Sequence, residues 1–413
     1  MSNNDLLRNL SALVAIPSVL DEPQQGAPFG EANRDALDFI LKLGKDLGFD
    51  VYDGNGYYGY IDWRGESRFA TDVIGILGHL DVVPADNYKL IKRGGMLFGR
   101  GVVDNKGPVL CALESMSRLK QSGYSPKHTI RLIVGCNEEK GSNCIAKYRA
   151  DNQIIPKASF TPDSDFPIVI SEMGILHVKV TLRIESLLKN KITINGGKSA
   201  NVVPDSCEVG INGVTHIFKG KSAHAMRPND GKNAILTALK NFPDNYPSPI
   251  PYSLFPALSS AIFFKDDSGE QTISIGIIKT TGNTIEMTFD LRCPVTCDTD
   301  DLKSKILTAF KAIDSDAVLT TLHFAPALRI DPQSITVRSL LDAYTSVTGL
   351  PPDYIKTGGG TYARALPNTI AFGPTFPKQV TNIHQPNEQI SINNLFKLID
   401  IYSIAISNLD NNL

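Results

Sequence analysis

Five polar clusters in this chain each follow an apolar segment: GHLDVVP (Gly78–Pro84), GRGVVDNKGP (Gly99–Pro108), CNEEKGS (Cys136–Ser142), TPDSDFP (Thr161–Pro167) and TNIHQPNE (Thr381–Glu388). Taken singly, their members have ordinary explanations. A histidine beside an apolar strand is often just a satisfied core residue, and an aspartate in a glycine-rich loop often just forms a turn. Two details change that weighting. Asp81 follows His79 by two residues, and at strand spacing positions i and i+2 share a face, so a carboxylate can fix the imidazole tautomer as the partners of metal-bound histidines do. Glu138 and Glu139 stand side by side after an apolar run, where two carboxylates are costly unless something positive compensates them. With Asp104, Asp163 and His384, and with Asp81 set aside as the partner of His79, the set comprises two imidazoles, three carboxylates and a further glutamate. Nitrogen and carboxylate oxygen suit zinc or manganese, and the lack of thiolates argues against a structural zinc. If one carboxylate bridges, the set holds two cations, and a pair about 3.5–4 Å apart makes a nucleophile of a bridging water. The spare glutamate then serves as general base. The chemistry implied is two-metal hydrolysis.

The surrounding elements place these clusters at the ends of strands. The first 175 residues alternate strand-like and helix-like segments, which predicts an α/β domain with a mostly parallel sheet flanked by helices. Thr71–Gly78 and Thr129–Cys136 read as buried strands, and Asn33–Leu47 and Val109–Gln121 as helices. In open α/β sheets sites gather at the carboxyl ends of strands, which is where the clusters fall. From Leu176 to about Leu328 the pattern turns to alternating strands with two helix candidates, Asn233–Asn241 and Asp300–Ala312. This predicts an inserted α+β domain over 176–328, between catalytic segments 1–175 and 329–413. The stretch Phe242–Tyr252, rich in proline and tyrosine, reads as an extended surface loop.

The balance of 41 basic against 43 acidic residues gives a formal net charge of -2. That provides no electrostatic reason to expect nucleic acid or an anionic membrane as partner, and a small molecule is the better default. No apolar run reaches the length of about 18 residues needed for a membrane span. The amino-terminal stretch lacks a basic n-region and a cleavage site, so a cytoplasmic protein is expected; its apolar positions (Leu6, Leu7, Leu10, Leu13, Val14) recur at helical spacing instead. The six cysteines form no CxxC pair and read as buried small hydrophobes.

The order GHLDVVP, GRGVVDNKG, NEEKGS, TPDSDFP and IHQPNE resembles the di-zinc aminoacylase/dipeptidase superfamily of metallopeptidases. TPDSDFP, NGGKSANVVPD, GKSAHA and GGGTYAR make it most similar to the bacterial peptidase V and carnosinase-type dipeptidases. The resemblance implies that His79 and Asp163 bind one metal and Glu139 and His384 the other, with Asp104 bridging. It implies Glu138 as general base, Asp81 as the residue that orients His79, and a cis Asp104–Asn105 bond. The inserted domain becomes a lid that carries His224 for the oxyanion. Asn201 lies near the substrate, Arg292 binds the substrate carboxylate, and the Gly359–Gly360 pair belongs to the substrate site. The metals implied are two divalent ions, zinc first, with manganese or cobalt accepted.

One departure from the family concerns the lid. Peptidase V enzymes carry extra helices between the NxVPD and GKSAHA segments, whereas only SCEVGINGVTHIFK separates Asp205 from Gly220 here. Monomer and homodimer therefore both stay open. So does the choice between a dipeptidase and an N-acyl-amino-acid deacylase on the same scaffold. A non-catalytic binding protein is disfavoured, since no ligand or base is missing.

Overall fold

The computed structural model describes residues 3–67, 69, 71–243, 246 and 248–413. It divides into two compact units, Met1–Ile170 with Ile330–Ile355 and Thr361–Leu413, and Ser171–Arg329 with Lys356–Gly360. Lys356–Gly360, which the sequence pattern places with the first domain, groups with the second unit. The Thr357 carbonyl accepts from Met173 N, and the Gly358 carbonyl accepts from Arg292.

The first unit is built on a mixed sheet. Its central strands are β3 (Val73–His79), β4 (Thr129–Gly135), β5 (Ala158–Thr161) and β13 (Thr369–Ala371), which run parallel in the order β4-β3-β5-β13. On one side β2 (Tyr58–Trp63) and β1 (Asp50–Asp53) add antiparallel strands, and on the other Val169–Glu172 joins β13 antiparallel. The parallel arrangement expected from sequence is thus confined to the centre. Those central strands are covered on both faces, and every residue of β3 is buried. Burying its Val, Ile and Leu side chains stabilises the unit by about 1.5–3 kcal/mol each. Helices α1 (Asn3–Val14), α2 (Glu31–Asp46), α3 (Lys106–Gln121), α4 (Asn143–Ala150), α8 (Ile335–Thr348) and α9 (Ile392–Asn412) complete the unit. Leu6, Leu10, Leu13 and Val14 of α1 join its core, as their spacing predicts.

The second unit is a seven-stranded antiparallel sheet. Its strands are β6 (Gly174–Arg183), β7 (Thr193–Gly196), β8 (Ser206–Ile211), β9 (Val214–Lys219), β10 (Thr272–Thr281), β11 (Thr284–Cys293) and β12 (Val318–Ala325), in the order β9-β8-β7-β10-β11-β6-β12. One face carries α5 (Ala234–Lys240), α6 (Leu254–Ala261) and α7 (Thr299–Lys311) over a core that includes Phe289, Phe310 and Leu291. The Phe242–Tyr252 stretch is not simply a surface loop. Phe242 and Ile250 are buried in that core, and α6 follows directly; Asp244, Asn245 and Pro247 lie outside the described residues. No helix among the described residues is long and apolar enough to cross a membrane. All six cysteines are free thiols, and five are buried.

Candidate active site

The parallel register sets the site. His79, the last residue of β3, pairs with Gly135, the last residue of β4. Asp81 and the Glu138–Glu139 loop therefore leave the sheet at one level. The Asp81 carboxylate accepts the backbone N–H of Glu138 at 2.9 Å and of Glu139 at 3.0 Å. Asp81 holds His79 through a different atom: its backbone carbonyl lies 3.0 Å from His79 Nδ1, while its carboxylate stands off at 3.5 Å. A carbonyl only accepts, so the proton sits on Nδ1 and Nε2 faces the site.

Asp104 lies between the two imidazoles. Its Oδ1 is 3.0 Å from His79 Nε2 and its Oδ2 is 2.8 Å from His384 Nε2. Asp163, just past β5, is 3.5 Å from His79 Nε2, and Glu139 is 3.0 Å from His384 Nε2. Two groups of donors result, His79–Glu138–Asp163 and Asp104–Glu139–His384, with the ligand atoms in each within 4.8 Å of one another. Glu138 sits inside the first group rather than apart from it. The Asp104–Asn105 bond is cis.

The charge balance fits divalent cations. Asp81, Asp104, Glu138, Glu139 and Asp163 surround two imidazoles, of which His79 is buried and His384 exposed. Burial, with Asp163 close by, pushes the Glu138 carboxyl well above the usual carboxylate range, and burial raises Asp163 as well. Burial also opposes ionisation of Asp104, but hydrogen bonds with His384 and His79 outweigh it and bring its carboxyl below the ordinary value. Asp104 and Glu139 in turn push His384 up to about 10. Carboxylates that crowd one another and imidazoles that retain protons are what a donor set does when protons take the place of metal charge.

Several supporting residues lie inside the quoted motifs, yet sequence reasoning gave them no role of their own. Glu388, in the same IHQPNE cluster as His384, is buried and accepts the N–H groups of Gly101, Val103 and Asp104 at 2.9–3.1 Å. It also pairs with buried Arg100 at 2.7 Å. Lys106 is fully buried, and its Nζ donates to the Leu13 carbonyl at 3.0 Å and the Ile16 carbonyl at 2.6 Å. Burial lowers its pKa to about 7. Tyr362, from GGGTYAR, packs edge-on to His79 with ring centroids 5.8 Å apart. That packing needs a glycine at 135, because a Cβ there would meet the tyrosine oxygen at 2.1 Å.

The second unit gathers the remaining candidates. Val202 pairs with His224, and the Asn201 carbonyl accepts from Ala225 N at 2.9 Å, which joins the SANVVPD and GKSAHA segments. His224 Nδ1 accepts from Met226 N at 3.1 Å, so its proton is on Nε2. Burial, with Arg292 nearby, lowers the His224 pKa and keeps the ring neutral. Arg292 is buried, donates to Asp290 through Nε at 2.7 Å and Nη2 at 2.8 Å, and donates to the Gly358 carbonyl through Nη1 at 3.1 Å. Gly359 N donates to Thr357 Oγ1 at 3.0 Å, and Gly360 is exposed.

Comparison with known proteins decides the family. Residues 75–408 match the model of peptidase family M20/M25/M40. The chain belongs to that family. It is therefore a hydrolase of the peptidase class. Among M20 relatives, YtjP of Bacillus subtilis strain 168, named as a candidate dipeptidase, is 29% identical, covering 97% of this chain and 96% of that protein. A Staphylococcus aureus (strain USA300) relative, also named as a candidate dipeptidase, is 27% identical over 98% and 97% of the two chains. Human carnosine dipeptidase 1 has the same fold, with a TM-score of 0.62 at 15% identity over 99% of this chain and 96% of that one. So does the Bacillus subtilis YXEP protein, described as a dinuclear metal-binding M20 peptidase, with a TM-score of 0.61 at 11% identity over 100% and 99% of the chains.

Proposed function

We propose that this M20 peptidase is a dipeptidase that hydrolyses short peptides with a free terminal carboxylate. The observation that carries the reading is the Asp104 carboxylate, which presents one oxygen to His79 and the other to His384. In this reading Asp104 is the shared ligand of two cations, His79 and Asp163 complete one set, and Glu139 and His384 complete the other. Two divalent ions, zinc by the donor set with manganese or cobalt accepted, supply Lewis acidity and an acidified water at this centre.

Glu138 is the general base. Its carboxylate lies in the same group as His79 and Asp163, within reach of a water held there, so it can take a proton from that water and pass it to the leaving amine. His224 offers a neutral Nε2–H to the oxyanion that develops in the transition state. Arg292, with Asn201 and Gly359–Gly360, binds the peptide and its carboxylate. The names of the Bacillus and Staphylococcus relatives support the choice of dipeptide as substrate.

A panel of free, N-acylated and C-amidated dipeptides, assayed with zinc, manganese and cobalt in turn, tests the proposal. Dipeptides with both termini free should be the best substrates. Preference for N-acylated amino acids would replace the reading with deacylation on the same centre.

A further inference from the structure

Arg292 does not wait in the second unit as a free cation. It has five N–H donors, and three are engaged: Nε and one hydrogen of Nη2 by the Asp290 carboxylate, and one hydrogen of Nη1 by the Gly358 carbonyl. Two have no partner among the described residues, one on each terminal nitrogen. Asp290 is fully buried, and a second bond fixes it, because His177 Nε2 lies 2.9 Å from Asp290 Oδ2. The register explains the arrangement: His177 on β6 stands directly opposite Asp290 on β11, and Arg292 follows on the same face of β11 two residues later.

We propose that Asp290, braced by His177, is a positioning residue that sets the plane of the Arg292 guanidinium and presents its two remaining donors to the substrate carboxylate. This rests on the assignment of Arg292 to carboxylate binding. An arginine side chain left to itself spreads over many rotamers, whereas one clamped along its Nε edge has only its outer fork to offer. The same clamp offsets the arginine charge, so recognition depends on the geometry of a carboxylate rather than on attraction for any anion. Burial works against ionisation of Asp290, and hydrogen bonds from His177 and Arg292 overcome it, which keeps the clamp charged. Gly358, in the same unit, adds a carbonyl that accepts from the same guanidinium.

The test compares Ala-Ala with its C-terminal amide on the metal-loaded full chain, reading kcat and KM for each. Asp290→Asn keeps the shape of the side chain and loses the charge. It should raise KM for the free acid about tenfold or more while the amide changes less than about twofold, since misplaced binding groups cost up to about 10²-fold. His177→Asn, at a partly exposed position, should move the acid-to-amide ratio of kcat/KM in the same direction by about threefold. A merely structural role would depress acid and amide alike. Arg292→Ala separates the two levels of the argument. If it leaves the ratio unchanged, the assignment of Arg292 itself fails. If it collapses the ratio while folded Asp290→Asn and His177→Asn do not, the positioning role is overturned and the assignment stands. Should Asp290→Asn fail to fold by circular dichroism, the His177→Asn ratio decides.

Discussion

Glu388 Oε1 accepts the backbone N–H of Asp104 at 3.0 Å. The same carboxylate holds Val103 and Gly101 and pairs with Arg100, so one buried side chain fixes the loop that aims Asp104 at both imidazoles. Glu388→Gln should weaken divalent-cation binding about 10–100-fold, the usual cost of removing a residue that orients a ligand. Competition against a chelator measures this, and unchanged affinity would refute it. Glu388→Ala should in addition lower stability by about 3–5 kcal/mol, because it leaves Arg100 buried without its partner.

Glu138 and Glu139 are adjacent, yet they fall in different donor groups. Glu138→Gln should keep both cations by elemental analysis and lose about 10²–10⁴-fold in kcat. Glu139→Gln should instead lose cation affinity, with activity partly restored at high cation concentration. The opposite pattern would exchange the two roles.

Stability should depend on pH differently with and without cations. His384 is raised to about 10 in the cation-free fold against 6.5 for an unperturbed histidine. A raised pKa favours the protonated group in the folded state, so its contribution is complete below about pH 6.5 and fades as pH rises toward about 10. Cations need the imidazoles deprotonated, so their stabilisation grows across the same window. The gap in Tm between cation-loaded and chelator-treated protein should widen from pH 6.5 to 9. A constant gap would count against His384 as a ligand.

Gly135→Ala should destabilise the first unit by about 1–3 kcal/mol, because the added Cβ meets the Tyr362 oxygen at 2.1 Å and Cys144 Sγ at 2.7 Å. Adding Tyr362→Phe should recover part of that loss in urea unfolding. Simple additivity of the two substitutions would show that the contact is not the cause.

The amino-acid sequence by itself determined the fold class and many of the elements. Apolar runs such as Thr71–Gly78 and Thr129–Cys136 can bury both faces only as central strands, and the structure has β3 and β4 there. The helix expected at Val109–Gln121 falls within α3, Lys106–Gln121, and Asn33–Leu47 is matched by α2 at Glu31–Asp46. The family was also legible, since five motifs in order carry more information than any one. Long-range pairing was decided only by the tertiary structure. Nothing local to Glu388 announces that it accepts three N–H groups from a loop some 285 residues away in sequence. Nor does His79 show that its partner is the Asp81 carbonyl and not the carboxylate, which turns to the Glu138–Glu139 loop instead. Asp290 and Arg292 are two residues apart in sequence, but the brace from His177 exists only because β6 and β11 pair in that register. Periodicity records which face of an element is apolar, whereas the partner of a buried polar group depends on which strands and loops the fold brings together.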